Sequence, residues 1–233
     1  MMKKINFAIL NFPGSNCERD CFYIVSKILR QNCKIIWHNE FSISKVDCII
    51  VPGGFSYGDY LRTGSIASQS RISNALIKFA DRGGTVIGIC NGFQILTELK
   101  LLPGTLVRNK NLKFICKDIN LKVNKNSRFT NLYNNNEVIR IPIAHAEGNY
   151  YADKKTLKKL KDNDQIIFSY CNKNGDITKE SNPNGSLLNI AGITNKKGNV
   201  IGLMPHPERV SEKVFNNTDG IKFFKSVINY HNY

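Results

Sequence analysis

The sequence predicts an α/β fold. It is read as a single domain with a mostly parallel central sheet flanked by helices, plus an antiparallel extension in the second half. Three observations carry this reading. Through residue 105, short apolar runs alternate with segments of helical spacing, and strands separated by helices pair in parallel because parallel neighbours need a crossover. The runs are near-continuously apolar rather than alternating, as strands covered on both faces are. Beyond that point strand-like runs dominate, which favours antiparallel pairing.

Residues 5–10 form a short apolar run that Pro13-Gly14 ends, so they read as a buried strand. Ser15 or Asn16 can cap a helix reaching about residue 30. Residues 34–38 and 47–51 are the next strands, the second stopped by Pro52-Gly53-Gly54. Helical spacing through Ile66, Ile72, Leu76, Phe79 and Ala80 predicts a helix over 66–82, closed by Gly83-Gly84. Residues 85–89 are a β-branched run too short for a helix, and 91–100 read as the helix that follows. Strands are then expected at 112–123, 138–144, 165–170, 188–194 and 200–204, with a last helix at about 219–229. No internal repeat or long linker divides the chain, so residues 1–233 are read as one domain.

The composition is that of an ordinary globular protein, 42% hydrophobic and 22% charged. A formal charge of +15 raises the question of nucleic acid. Such binding needs basic residues gathered on one face with aromatics between them, whereas lysine here is spread along the chain. The one dense run, 154–161, reads as an amphipathic helix with Leu157 and Leu160 inward and a solvated basic face. No nucleic-acid partner is expected. The seven cysteines include no CxxC pair; Cys17 and Cys21 stand four apart without a second pair to complete a zinc site. Free, mostly buried thiols in a reducing compartment follow. The N-terminal apolar run is too short for a signal segment and no stretch approaches a membrane span, so the expected location is cytoplasmic, with no membrane partner.

The chemistry centres on Gly88-Ile89-Cys90-Asn91-Gly92-Phe93-Gln94. A nucleophile-capable side chain sits between an apolar strand and a helix, with glycine two before and two after it. That is a nucleophile elbow written with cysteine. The glycines remove the Cβ atoms that would clash in the turn, and the helix N-terminus favours the thiolate. The backbone N–H of Asn91 points where an oxyanion would form. The bland alternative is a buried structural cysteine.

A thiolate needs a proton partner, and Met204-Pro205-His206-Pro207-Glu208 follows a predicted strand. Two apart in extended chain, with prolines fixing the backbone, His206 and Glu208 would point to one side, where Glu208 can orient the imidazole. His145 in Ile143-Ala144-His145-Ala146-Glu147-Gly148 is the competing base, since it too ends a strand and precedes a glutamate by two. His38 and His231 have no comparable setting and read as surface residues. The third segment, Val51-Pro52-Gly53-Gly54-Phe55-Ser56-Tyr57-Gly58-Asp59, leaves the carboxyl end of a parallel strand, where open α/β sheets place their sites. Gly54 can supply a second oxyanion donor.

Together these segments resemble class I glutamine amidotransferases, which are flavodoxin-like. The Pro-Gly-Gly loop, the Gly-x-Cys-x-Gly elbow and the late His-x-Glu occur in that family's order. Within the class the chain is similar to the glutaminase subunits of phosphoribosylformylglycinamidine synthases. That narrower likeness rests on 12–17 (FPGSNC), 53–62 (GGFSYGDYLR), 90–94 (CNGFQ), 182–186 (NPNGS) and 204–209 (MPHPER), which span nearly the whole chain. The resemblance implies a triad of Cys90, His206 and Glu208, with Gly53, Gly54, Asn91 and Gln94 around the glutamine. It implies no cofactor or metal for glutamine hydrolysis. It also implies a large synthetase subunit that uses ATP and magnesium, joined in some lineages by a small bridging subunit. Ala146 departs from the family's glycine at that position and raises the question of a shifted loop.

Other readings stay open on the sequence. An amidotransferase serving pyridoxal phosphate, CTP or imidazole glycerol phosphate synthesis would share the elbow, but the Phe-Ser-Tyr-Gly-Asp continuation after Gly54 argues against it. Cysteine peptidases and chaperone-like proteins with a similar elbow place their histidine elsewhere. A silent binding subunit would lack one of Cys90, His206 and Glu208, and none is missing.

Overall fold

In the computed structural model, described for residues 4–232, one nine-stranded sheet runs through the molecule. In chain order its strands are β1 (Asn6–Asn11), β2 (Asn32–Trp37), β3 (Cys48–Val51), β4 (Thr85–Ile89), β6 (Ile115–Val123), β7 (Val138–His145), β9 (Ile166–Cys171), β10 (Ile190–Thr194) and β11 (Val200–Leu203). The remaining two, β5 (Thr105–Val107) and β8 (Asn149–Tyr151), form a small antiparallel ribbon. The helices are α1 (Glu18–Tyr23), α2 (Ser65–Ser68), α3 (Arg71–Asp81), α4 (Asn91–Glu98), α5 (Lys154–Asp162) and α6 (Ile221–Asn232).

Across the sheet the order is β2-β1-β3-β4-β11-β10-β9-β6-β7. The five strands from β2 to β11 are parallel, and each pairing from β11 outward to β7 is antiparallel. The expected antiparallel extension is therefore present, and β11 is where the two halves meet. Strands β3, β4, β10 and β11 are buried at every position, as the unbroken apolar runs require of strands covered on both faces.

Three elements differ from the sequence reading. The helix expected over 66–82 is broken at Gln69-Ser70, where Ser70 is extended. Serines explain the break: Ser73 Oγ donates to the Ala67 carbonyl and Ser68 Oγ to that of Ser65, taking over helix acceptors. After Tyr23 the first helix widens into a π-turn over Ile24–Ile28, with Ser26 Oγ bonded to the Phe22 carbonyl. The β5–β8 ribbon went unforeseen because three-residue strands leave no period to read. The basic helix α5 forms as expected, capped by Asp153, whose carboxylate accepts from Thr156 N at 2.7 Å, and Leu160 faces the core. No helix among the described residues is long and apolar enough to cross a membrane.

This topology decides where a site can be. Strands β1, β3, β4 and β11 are neighbours and parallel, so the segments leaving their carboxyl ends emerge on one edge. Those segments carry Cys17, Gly53-Gly54, Cys90 and His206.

Candidate active site

Cys90 joins β4 to α4 with φ 51° and ψ −106°, a conformation that a non-glycine residue holds only under strain of about 1–3 kcal/mol. Its N–H donates to the Leu203 carbonyl at 2.8 Å, tying the elbow to the end of β11. The flanking glycines are needed for packing. A Cβ on Gly88 would lie 2.8 Å from the Gly92 carbonyl carbon, and one on Gly92 would collide with the Val51 carbonyl. So α4 lies directly on β3 and β4. Cys90 Sγ, buried, is 3.6 Å from the Ala144 carbonyl oxygen.

His206 stands across the elbow from the adjacent strand. Its N–H bonds the Pro142 carbonyl at 2.9 Å, which fixes the loop after β11 to β7. Its Nδ1 is 2.6 Å from Glu208 Oε1, with both side chains buried. The pairing was anticipated, but its geometry was not. Residues Pro207–Val210 form a 3₁₀ turn with proline at its start, so the turn rather than an extended chain brings Glu208 under the ring. Desolvation opposes a charge on His206, but the carboxylate of Glu208, seconded by Cys90 and Cys17, outweighs it and holds the imidazole pKa well above its ordinary value. The other ring nitrogen, Nε2, has no hydrogen-bond partner. Cys90 is near enough to act on His206 through its charge, yet its sulfur is turned to Ala144.

The Pro-Gly-Gly loop forms the floor. At Gly53 an added Cβ would meet His206 Cε1 at 2.8 Å, Cys17 Sγ at 3.1 Å and Cys90 Cβ at 3.5 Å, so three side chains from three elements close over one glycine. Gly54 has φ 146° and lies against the backbone of Gly14, Ser15 and Asn16, leaving no room for a side chain. Asn91 begins α4, so its N–H has no partner four residues back in the helix. Its side chain accepts from Ser56 N at 3.2 Å and donates to Gln94 Oε1 at 2.9 Å. Gln94 in turn donates to the Glu147 carbonyl at 2.7 Å. The amide of Gln94 thus braces the cleft between α4 and the loop after β7. Asp59 closes this side; burial, with Glu147 adding, pushes its carboxyl up to about 6.

His145, the rival base, has a different environment. Its Nδ1 meets Asn109 Oδ1 at 3.1 Å, and Gly148 N donates to the same oxygen. Burial first, and His206 second, lower its pKa to about 4. Glu147 points elsewhere, to Thr63 Oγ1 at 2.9 Å. The Ala146 methyl is exposed and its backbone lies outside the left-handed region, so the departure at that position strains nothing. Two minor expectations are corrected. His38 is half-buried and bonded to the Tyr57 hydroxyl at 2.8 Å, and His231 is half-buried against Thr85 Oγ1 at 3.0 Å.

Sequence reasoning missed Asn109, Cys17 and Arg209 as members of this site. Asn109 is wholly buried and also bonds the His145 and Lys113 carbonyls. Arg209 Nη2 donates to Cys17 Sγ at 3.2 Å, and that sulfur lies 3.9 Å from His206 Nδ1. The motifs 12–17 and 204–209 contained both residues, but nothing local pairs them.

Cys17, His206 and Glu208 each place one ligand-type atom within 4.8 Å of the others. As placed, they do not have the spacing of zinc ligands. Two ligands of one tetrahedral zinc lie about 3.3 Å apart, whereas Nδ1 and Oε1 are at proton-sharing distance, 2.6 Å. Arg209 moreover supplies the positive charge at Cys17.

Residues 4–230 match the model of the CobB/CobQ-like glutamine amidotransferase domain. The chain is 53% identical over 222 residues to "Phosphoribosylformylglycinamidine synthase subunit PurQ" of Synechocystis, covering 95% of this chain and 99% of that one. It is 52% identical over 227 residues to the protein of the same name from Moorella thermoacetica, covering 97% and 96%. Among solved structures, "Structure of PurLQS from Thermotoga maritima" contains a chain with TM-score 0.86 and 40% identity, covering 98% of this chain and all of that one. The glutaminase domain of Trypanosoma brucei CTPS shares the fold at TM-score 0.59 and 12% identity, covering 97% of this chain and 94% of that one.

Proposed function

The chain belongs to the CobB/CobQ-like glutamine amidotransferases and, within them, to the PurQ subunits of phosphoribosylformylglycinamidine synthase, and from that premise we propose what it does. It hydrolyses glutamine to glutamate and ammonia, and supplies the ammonia to a synthetase that converts formylglycinamide ribonucleotide to the amidine in purine synthesis. The carrying observation is that a strained cysteine elbow and a buried His–Glu pair leave the ends of adjacent strands and close over Gly53.

The chemistry follows from that arrangement. Cys90, as thiolate, attacks the carboxamide carbon, and the oxyanion falls to the N–H groups of Asn91 and Gly54. His206, held protonated by Glu208, gives its proton to the departing ammonia. It then takes a proton from the water that attacks the thioester. Collapse of that adduct expels Cys90 as the thiolate beside the restored imidazolium, while the new carboxyl group passes its proton to ammonia and leaves as glutamate. The Gly53-Gly54 loop, Asn91 and Gln94 shape the cleft around the substrate. Residues 1–233 act as one glutamine amidotransferase domain. This half-reaction uses no metal or cofactor; ATP and magnesium belong to the synthetase. The partners are that large subunit and a small bridging subunit, a reading supported by the Thermotoga PurLQS assembly. The setting is the cytoplasm.

Burial of Cys90 at 5% exposure and the unpaired Nε2 of His206 favour a site completed on assembly, which makes the isolated chain a poor glutaminase. The test is amidine formation by the assembled complex with glutamine or ammonium as nitrogen source. Cys90→Ala should abolish the glutamine-driven reaction and keep the ammonium-driven one at elevated pH. Equal loss with both sources would remove the ammonia-donor role.

A further inference from the structure

We propose that Cys17 is a positioning residue for His206: its sulfur ties Arg209 away from Glu208, so that the carboxylate serves the imidazole alone. The inference rests on the assignment of Cys90 and His206 as nucleophile and base.

The observations begin at α1. Cys17 occupies the N-cap position, where serine, threonine, aspartate and asparagine are favoured because their oxygens accept helix N–H groups. Its side chain makes no capping bond. The sulfur is turned away from the helix into the site, with the residue 1% exposed. There it accepts from Arg209 Nη2 at 3.2 Å and lies 3.9 Å from His206 Nδ1, the atom that also meets Glu208 Oε1 at 2.6 Å. Helix capping does not account for a cysteine here, and these contacts do.

The electrostatic need is specific. Glu208 is buried, and its second oxygen, Oε2, has no partner. Arg209 is the next residue, a permanent cation whose fork fits a carboxylate. Were it to swing onto Oε2, it would compete with the imidazolium for the same negative charge. Holding the guanidinium on Cys17 prevents that. The charged and titratable groups facing His206 are then complete in their roles: Cys17 and Asp20 from α1, Cys90 from the elbow, His145 from β7, and Glu208 and Arg209 from its own turn. Of these, Glu208, Cys90 and Cys17 favour the imidazolium, and so does Asp20, whose carboxylate is in turn favoured by His206.

The experiment measures glutamine-dependent turnover against pH in the assembled complex, for Cys17→Ala, Cys17→Ser and Cys17→Ala combined with Arg209→Gln. Cys17→Ala should lower kcat about tenfold with KM within about twofold, and move the limb set by His206 to lower pH. Cys17→Ser folds, because serine is a good N-cap, and its hydroxyl can still hold Arg209, so kcat should stay within about threefold of wild type. Neutralising Arg209 in the Cys17→Ala background should recover at least about threefold. Wild-type kcat and pH profile in Cys17→Ala, or a double variant no better than the single one, would overturn the proposal. Cys90→Ala in parallel separates the two levels. If it retains glutamine-dependent turnover, the nucleophile assignment fails; if it is inactive while Cys17→Ala is unaffected, only the positioning role falls.

Discussion

His206 Nδ1 reaches Glu208 Oε1 at 2.6 Å, while His145, with the same His-x-Glu spacing, gives its Nδ1 to Asn109 and leaves Glu147 to Thr63. One sequence pattern therefore yields two opposite histidines. Burial acts against charge on both. Only His206 has a carboxylate against the ring, and its pKa rises where that of His145 falls. Of the two, His206 is the one whose surroundings favour a proton, as the proposed mechanism asks of the acid that serves ammonia.

Replacing Glu208 by Gln keeps the shape of the turn and removes the charge. The imidazolium then loses its main support, and the ring loses the acceptor that fixes its tautomer. Glutamine-dependent kcat should fall by at least about a hundredfold, with the His206 limb moving to lower pH. Ammonium-driven amidine synthesis by the complex should be unchanged, since in the proposed mechanism Cys90, His206 and Glu208 take no part in it. A kcat within threefold of wild type would mean that Glu208 is structural.

His145 makes a different, thermodynamic prediction. Its folded pKa lies near 4, below the ordinary 6.5, so on acidification the unfolded chain takes up this proton first. Stability from this residue is full above about pH 6.5 and declines as pH falls toward 4. The loss is on the order of 3 kcal/mol. His145→Gln can still donate to Asn109 but has no proton to gain. Denaturant titrations at pH 7 and pH 4.5 should show a smaller loss for this variant than for the wild type. Turnover should stay within about tenfold, in contrast to an inactive His206→Ala. If His145→Gln is the inactive one, the bases have been exchanged.

How much of this was legible follows from how local each signal is. The elbow was readable because its pattern is complete within five residues: a Cβ on Gly88 would meet the Gly92 backbone just across Cys90. The His206–Glu208 pair was readable in identity but not in conformation, since Pro207 starts a turn where an extended chain was expected. Spacing alone could not separate His206 from His145, and the family resemblance made that choice, because Asn109, which takes the His145 ring in place of Glu147, arrives from another element. Cys17 meets His206 across 189 positions, a contact that only the parallel neighbours β1, β3, β4 and β11 bring about. The break at Gln69-Ser70 was hidden because serine side chains, not the apolar period, stop that helix.

Thiol chemistry offers a check with two reagents. Cys116 is exposed, whereas burial raises the thiol pKa of Cys21 and Cys48 steeply, of Cys33 to about 12 and of Cys171 to about 11. A small general alkylating agent should therefore modify Cys116 first. A glutamine-like electrophile, which must be bound before it reacts, should instead label Cys90, most rapidly in the assembled complex. Peptide mapping of the adducts distinguishes the two patterns. Label from the glutamine analogue on Cys116 or Cys17, with Cys90 intact, would remove Cys90 from the role of nucleophile.

The packing of the elbow can be separated from generic glycine effects by comparing Gly92 with Gly83. A Cβ at Gly92 runs into the Val51 carbonyl, a backbone atom that cannot rotate away, so α4 must lift from β3 and carry Cys90 with it. At Gly83 nothing lies within 4 Å, and the only obstacle is its φ of +89°. Gly83→Ala should cost about 1–2 kcal/mol of stability through backbone strain and leave turnover per folded molecule unchanged. Gly92→Ala should cost at least as much, about 1–3 kcal/mol by overpacking. It should also lower kcat by more than about tenfold in the molecules that remain folded, because an elbow displaced by even 1 Å misplaces the sulfur. Thermal melts with active-site titration of the folded fraction measure both quantities. Full turnover in folded Gly92→Ala would show that α4 can move without the nucleophile, and that contact with β3 does not set the position of Cys90.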